Sequence, residues 1–472
     1  MAPGVTAGVV RAELGPLLGE GVLVTDPDVV AAHSRDQALW CPDEGAVALV
    51  RARSVEDVQE TMRFATRHRV PVVPQGARTG LSGGANAVPG CLLLSLERMT
   101  AVLDLDLSER TVTVEPGIIN QDLKDVLAPH GLSYPPDPGS VAISSIGGNV
   151  ATNAGGLCCV KYGVTRDYVR RLRVVLADGT LTTVGTTTAK GVAGLDLRGL
   201  FVGSEGTLGI VVEVTLRLVP ALPEPLTAVA TFADVRHAAA TVADLMASGA
   251  QPSLVESMDR TTLRMINAYR DVGLDDEAGA MLLVQSDGSG SPAAARAEVE
   301  AFAGFAQAHA AIDVVFSEDP TDSAALVAAR RMAQPAYEHH AQTHGGGQLL
   351  DDVCLPRHRL PQFYDRLDEI AAESGLTIAV VAHAGDGNTH PSIFFDAADP
   401  DDVARADAAF DRIMEVGLAL GGTITGEHGV GHLKRQWLAR ELDDGSRQAH
   451  RAIKAALDPL GILNPGKMLD AL

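Results

Sequence analysis

A chain of 472 residues is longer than one hydrophobic core accommodates, so two or three domains are expected. Its 46% hydrophobic and 21% charged residues are those of an ordinary globular protein and exclude wholesale disorder. The formal charge of −22 excludes general binding to nucleic acid or an anionic membrane, and any anionic substrate must meet local positive charge or a metal ion.

The opening MAPGVTAGVV has no basic stretch ahead of an apolar core, so no secretory signal is read there. No apolar run reaches the length of a transmembrane helix. The cysteines (Cys41, Cys91, Cys158, Cys159 and Cys354) are odd in number and include no CxxC. That argues against a disulfide framework, a zinc ribbon or an iron–sulfur cluster held by this chain alone. A cytoplasmic protein is the expectation.

From Ala46 the pattern is β/α: AVALVRA is a strand, SVEDVQETMRFATRHR a helix capped by Ser54, and VPVVPQG a second strand. Val55, Val58, Met62 and Ala65 recur at helical spacing and are assigned to the core. Residues 91–220 break into short strands: CLLLSL, AVLDLD, TVTVEPG, YVRRLRVVLADG, LTTV and GIVVEVTLRLV. Asp178-Gly179 between two of these predicts a hairpin. Punctuation from Pro220 to Pro225 predicts a domain boundary. Beyond it, helices such as RHAAATVADLMAS and SPAAARAEVEAFAGFAQAHA alternate with strands such as AMLLVQSDG and LTIAVVAHAG. This α+β pattern suits an antiparallel sheet with helices on one face. From Asp401 the chain is mainly helical, with a glycine-rich break at 421–431.

Three segments are dense in glycine: PQGARTGLSGG (74–84), SSIGGNVATNAGG (144–156) and GSEGTLG (203–209). Missing Cβ atoms let a ligand approach the backbone, and successive amides in such turns form concave anion sites suited to a pyrophosphate. No GxGxxG opens a helix after a strand and no GxxxxGK[ST] occurs, which disfavours a Rossmann or P-loop nucleotide site.

Together with PPDPGS (135–140), VKYGVTRDYV (160–169), QLLDDVCLP (348–356), HAGDGNTHP (383–391), TGEHGVGHLKR (425–435) and NPGKML (464–469), these segments resemble the FAD-linked D-2-hydroxy acid dehydrogenases of the vanillyl-alcohol oxidase/PCMH superfamily. That branch includes D-lactate dehydrogenase, D-2-hydroxyglutarate dehydrogenase and the glycolate oxidase D subunit. The likeness implies a PCMH-type FAD-binding domain over 1–221, an α+β substrate (cap) domain with an antiparallel sheet over 222–420, and a C-terminal helical segment, 421–472, that completes the active site and the FAD domain. By the same likeness, Pro74, Gly76, Arg78, Thr79, Gly80, Gly83 and Gly84 would wrap the FAD pyrophosphate. Pro138, Ser144, Gly147, Gly148, Asn149, Asn153, Gly155 and Gly156 would line its other side and the isoalloxazine ring, and Glu205, Gly206, Gly209 and Ile210 would close on the adenosine half. Ala77 and Arg78 stand where covalent relatives place a histidine, which implies non-covalent FAD. Gly139 departs from the serine of PPDPSS-type relatives.

The stretch LTIAVVAHAGDGNTHPSIFF reads as a hairpin turning at Asp386-Gly387, with His383 directly opposite His390 on one face. Two imidazoles so placed can hold one divalent ion and want a carboxylate, for which ITGEHGVG offers Glu427. With the family likeness, His383, His390 and Glu427 are assigned as metal ligands, with Asn388 as an outside candidate. Zinc, manganese and iron all accept this set. His428 is the candidate base and Arg330 the candidate substrate arginine, an exposed helical arginine being the alternative; Arg331 shares that ambiguity. Lys434 and Arg435 either support the site or form a solvated helix face, and Tyr162 either meets the flavin edge or is a core residue.

The function expected is FAD-dependent oxidation of a small D-2-hydroxy acid, D-lactate or glycolate, to the 2-oxo acid. QLLDDVCLP lacks the basic residue near Leu350 of the hydroxyglutarate type and leans to a short substrate. D-2-hydroxyglutarate dehydrogenase is the alternative within the family. A metallohydrolase leaves the glycine segments unexplained and has no HExxH, and a non-catalytic flavin subunit or an ether-lipid synthase leaves the His/Glu set unexplained. Electrons would pass to a quinone, a cytochrome, an electron-transfer flavoprotein or an iron–sulfur subunit, through which the protein would sit at the membrane periphery. No nucleic-acid partner is expected, and a homodimer is left open.

Overall fold

The computed structural model describes residues 5–472 apart from Leu39 and Glu318. The chain falls into two units. One contains the chain up to Gly155, Val164–Ala221 and Glu427–Leu472; the other contains Gly156–Gly163 and Leu222–Gly426.

In the first unit, Ser54 starts the helix Val55–His68 by accepting the Asp57 amide, and the Asp57 carboxylate accepts the Arg53 amide in return. Val58, Met62 and Ala65 are fully buried, as their spacing requires, and Val55 packs at the edge of the same cluster. Burial of Val58 and of Met62 contributes about 1.5–3 kcal/mol each toward the ordering cost of the helix. The helix covers a four-stranded sheet ordered Leu23–Val24, Ala48–Arg51, Leu92–Ser95, Val72–Gln75, in which the last three run parallel. Every residue of Leu92–Ser95 is buried, which is why that strand reads as an unbroken apolar run rather than an alternation.

A second sheet in this unit is antiparallel, ordered Val102–Asp106, Thr111–Val114, Ile210–Arg217, Val169–Val175, Leu181–Gly185. Its last two strands form the hairpin expected at Asp178-Gly179, with Gly179 at φ +83°, a left-handed conformation that costs a residue with a Cβ. The C-terminal segment returns to the first sheet: Leu463 is fully buried and bridges in parallel to Val72.

The second unit is built on an eight-stranded antiparallel sheet. The order along it is Ala311–Ser317, Leu226–Phe232, Ala280–Ser286, Leu254–Asp259, Thr377–His383, Asn388–Asp396, Gly346–Leu350, with Val353–Cys354 pairing on Asn388–Asp396. Helices cover both of its faces, not one as the sequence pattern suggests. The reason lies in Ala280–Ser286, which is buried at every residue. Ala280, Leu282 and Val284 pack with the helices Val235–Ala247 and Pro292–Ala308, while Met281 turns to a cluster containing Leu263, Ile266 and Tyr337 from helices on the other side. No described helix is long and apolar enough to cross a membrane.

Candidate active site

In the first unit the three glycine segments and the C-terminal motifs converge on one another. Ser145 caps the short helix Ile146–Thr152 by accepting the Gly148 amide, and the same oxygen accepts the Ala77 amide from the first glycine segment. A Cβ on Gly76 would lie 2.5 Å from that oxygen, so only glycine lets the two segments close. Gly206, at φ +71°, abuts Pro74 so closely that a Cβ would sit 2.3 Å from its ring. Ser144 and Asn149 share a hydrogen bond of 3.3 Å, and Asn153 ends the helix in the left-handed region with its side-chain oxygen accepting the Arg166 amide.

Other glycines serve packing between strands and loops. Gly147 meets Pro116, Gly209 meets Val174, Gly83 meets Cys41, Gly80 faces Asp36 and Gly84 faces Glu205. Pro138 is buried, Gly139 has open space where a Cβ would be, and the Ile210 side chain belongs to the core. Thr79 is half-buried. Gly155 ends the first stretch of this unit, whereas Gly156 groups with the other.

Glu205 ties the third segment to the C-terminal motif. Its carboxylate accepts the amides of Val430 and Gly431, both at 2.7 Å. Asn464 donates to the carbonyls of Gly84 at 2.9 Å and Glu205 at 2.7 Å, and Ser82 donates to the carbonyls of His428 and Gly429. His428 is therefore held by its backbone while its ring stays half-buried, with Nε2 3.7 Å from Glu427 Oε1. Lys434 is 1% exposed, which overturns the solvated-face alternative for it; Arg435 donates to the Gly466 carbonyl.

An FAD pyrophosphate can be tested against this cradle. Arg78 stands in the left-handed region at φ +57°, and its Nη1 is buried with no hydrogen-bond partner among the described residues. A buried cationic donor left so is costly, and a phosphate oxygen would satisfy it. The residues fit the group.

The second unit holds the histidines. The strands Thr377–His383 and Asn388–Asp396 pair His383 with Asn388 and Val381 with His390. His383 and His390 are diagonal neighbours, not directly opposite as the two-residue turn implied. The connection is longer because the Gly385 amide is drawn to the Val255 carbonyl and the His383 carbonyl accepts from both Asp386 and Gly387. A slip of two residues keeps the face, since side chains alternate with period two. The rings still lie 5.1 Å apart, edge to face.

Behind each ring stands a buried carboxylate that the sequence reading did not single out. His383 Nδ1 donates to Glu256 Oε1 at 2.7 Å, and Glu256 Oε2 lies 2.8 Å from Arg330 Nη2. Arg330 ends the helix Pro320–Arg331 at 7% exposure, so the exposed-arginine alternative is wrong for it; Arg331 is half-buried. His390 Nδ1 is 3.6 Å from Asp352, whose other oxygen accepts the Thr425 hydroxyl and the Gly426 amide. Asn388 is buried against Gly426, its side-chain oxygen lacking a partner among the described residues. Tyr162 and Lys161 both bond to Asp287, within this unit. The one sequence signal for Glu256 was a charge in the middle of the buried strand SLVESMD; for Asp352 it was the acidic pair in QLLDDVCLP.

Residues 46–185 match the model of the FAD binding domain family, and residues 224–468 match that of FAD linked oxidases, C-terminal domain. The chain belongs to the FAD-linked oxidase family.

Relatives of this FAD-linked oxidase include the glycolate oxidase subunit GlcD of Bacillus subtilis (strain 168), 40% identical over 89% of this chain and 88% of that one. GlcD of Escherichia coli (strain K12) is 37% identical over 90% and 84%. The mitochondrial D-lactate dehydrogenase [cytochrome] of Arabidopsis thaliana is 34% identical over 95% and 78%. Among solved structures, p-cresol methylhydroxylase with substrate bound superposes with a TM-score of 0.80 at 17% identity, covering 99% of both chains. Alkyldihydroxyacetonephosphate synthase gives 0.73 at 18%, covering 98% of this chain and 86% of that one. Both show the fold, which is the PCMH type with an α+β second part expected from the sequence.

Glu205 gives the first testable consequence. Burial pushes its carboxyl up to about 7, against the pull of the two amide hydrogen bonds and with a further push from Asp36. Between the ordinary glutamate value of 4.5 and about 7 the folded protein therefore binds a proton that the unfolded chain has released. Stability must fall as pH rises through that window, by a few kcal/mol. Glu205→Gln cannot titrate. Thermal unfolding midpoints of the two proteins from pH 5 to 8 should show the native protein losing ground to the variant as pH rises; a constant difference would refute the assignment.

Proposed function

We propose that this protein oxidises a small D-2-hydroxy acid, D-lactate or glycolate, to the 2-oxo acid, using non-covalent FAD and one divalent ion held by His383, His390 and Glu427. The carrying observation is the pair of buried imidazoles 5.1 Å apart, one of them backed by a carboxylate that also holds a buried arginine. The named activities of the relatives support the substrate class. With Nδ1 of His383 committed to Glu256, Nε2 is the nitrogen for ligation, and two imidazoles with one carboxylate suit zinc, manganese or iron. Glu427 follows directly on Gly426, whose amide Asp352 holds at 3.0 Å.

When bound, FAD supplies the acceptor for the C2 hydride and the ion a Lewis acid for the substrate's hydroxyl and carboxylate oxygens. The chain's own groups do the rest. Arg330 Nε, buried without a hydrogen-bond partner among the described residues, is the donor for the substrate carboxylate. An imidazole nitrogen of His428 takes the hydroxyl proton, since histidine titrates near neutrality. Pro74, Gly76, Arg78, Thr79, Gly80, Gly83 and Gly84, with Ser144 to Gly156 and Glu205 to Ile210, hold the FAD. Ala77 and Arg78 offer no histidine for covalent attachment. The reduced protein passes electrons to a separate acceptor, in keeping with relatives that are named as subunits or as a cytochrome-linked dehydrogenase.

An anaerobic screen of 2-hydroxy acid enantiomers tests this reading. D-lactate or glycolate should bleach the flavin band near ~450 nm, and L-lactate should not. Bleaching by D-2-hydroxyglutarate alone would move the substrate to the longer class, and bleaching by none would overturn the proposal.

A further inference from the structure

We infer that Glu256 is a positioning residue through which metal affinity and substrate-carboxylate binding are set together. The inference rests on the reading of His383 and His390 as metal ligands and adds a residue that this reading does not require. Its geometry follows from strand register. Ser257 pairs with Ala382 and Met258 with Val381, so the next position puts Glu256 across from His383, on the face that Met258 and Val381 share. Glu256 is 0% exposed, between Leu254 and Met258, which are buried on the same face. A carboxylate there is tolerated only if charged or hydrogen-bonding partners meet both oxygens. They do: His383 Nδ1 lies 2.7 Å from one oxygen and Arg330 Nη2 lies 2.8 Å from the other.

Each contact has a chemical consequence. A carboxylate only accepts, so His383 carries its proton on Nδ1 and presents the Nε2 lone pair, with raised basicity toward a cation. The second oxygen holds the guanidinium of Arg330 in one orientation, leaving its Nε edge for a planar carboxylate partner. Asp352 stands behind His390 but spends its other oxygen on Thr425 and Gly426, so it serves the backbone leading to Glu427. The two carboxylates thus have different jobs, and only Glu256 joins a proposed ligand to the proposed substrate arginine.

A purely structural role, pinning the helix Pro320–Arg331 to the sheet, would lower the melting temperature and leave metal affinity alone. The test therefore measures zinc(II) affinity of the full-length, FAD-loaded protein by competition with a chromophoric chelator, without substrate. Glu256→Gln is isosteric and keeps an acceptor for His383 while losing the charge; Glu256→Ala loses both. Affinity should fall in the order native, Glu256→Gln, Glu256→Ala, by roughly 10- to 100-fold at the end of the series. Glu256→Gln should also raise KM for the hydroxy acid more than it lowers kcat, with the flavin absorbance unchanged. Native zinc affinity in both variants, whatever their melting temperatures, would overturn the inference alone. If the native protein binds neither zinc, manganese nor iron, the metal reading fails and the inference fails with it. Should Glu256→Ala not fold, the isosteric variant decides the question.

Discussion

His383→Ala and Glu427→Ala are each expected to abolish turnover while leaving the bound-FAD spectrum intact. Three protein ligands are the minimum for a catalytic ion of this kind, and loss of one cuts affinity severely. His383 sits on a strand of the second unit and is braced by Glu256, whereas the glycine segments apart from Gly156, with Arg78 and Asn464, belong to the first unit. Removing the imidazole leaves the hydrogen bonds of the cradle, which lie within the first unit, unbroken. Glu427 is a stricter case, because it lies two residues before Gly429, whose carbonyl Ser82 holds. Its alanine variant should still keep FAD, since Ser82 bonds the backbone and not the side chain. The measurement is turnover beside metal content and the visible spectrum. Turnover that survives in both variants and after chelation would remove the ion from the mechanism.

His428→Asn should slow flavin reduction by roughly 10² to 10⁴, the usual worth of a positioned general base. The fold, the FAD and most of the metal should remain, because Glu427 is untouched and Ser82 grips the His428 carbonyl, which asparagine also has. Anaerobic stopped flow isolates this step from reoxidation by the acceptor. The sign with pH is fixed by the role: a base acts when unprotonated, so the native rate must rise with pH. The variant should lose that rise. A variant that reduces its flavin at the native rate with the native profile would show that the hydroxyl proton leaves by another route.

The elements themselves were legible because their causes are local. Ser54 and the spacing of Val58, Met62 and Ala65 define one helix, Asp178-Gly179 defines one hairpin, and the unbroken apolar run at Leu92 marks a strand buried on both faces. The glycine segments were legible for a related reason. Gly76 and Gly206 occur where backbone meets a side-chain oxygen or a ring at close range, and that demand leaves its mark on residue type. The face shared by His383 and His390 also survived the reading, because a register slip of two cannot invert it.

Other features depend on groups far apart in the chain. The hairpin register was set by Val255 drawing the Gly385 amide across from another strand, which no reading of the hairpin alone could include. Helices on both faces of the large sheet follow from the central position of Ala280–Ser286, a matter of strand order. Gly156–Gly163 groups with the second unit through contacts such as those of Lys161 and Tyr162 with Asp287, more than a hundred residues away in sequence. Sequence by itself determined the family and the fold class, since ordered motifs and local spacing carry the resemblance and the elements. Only the tertiary structure decided that Glu256 stands between His383 and Arg330, because a buried charge is tolerated solely where distant strands and helices bring its partners to it.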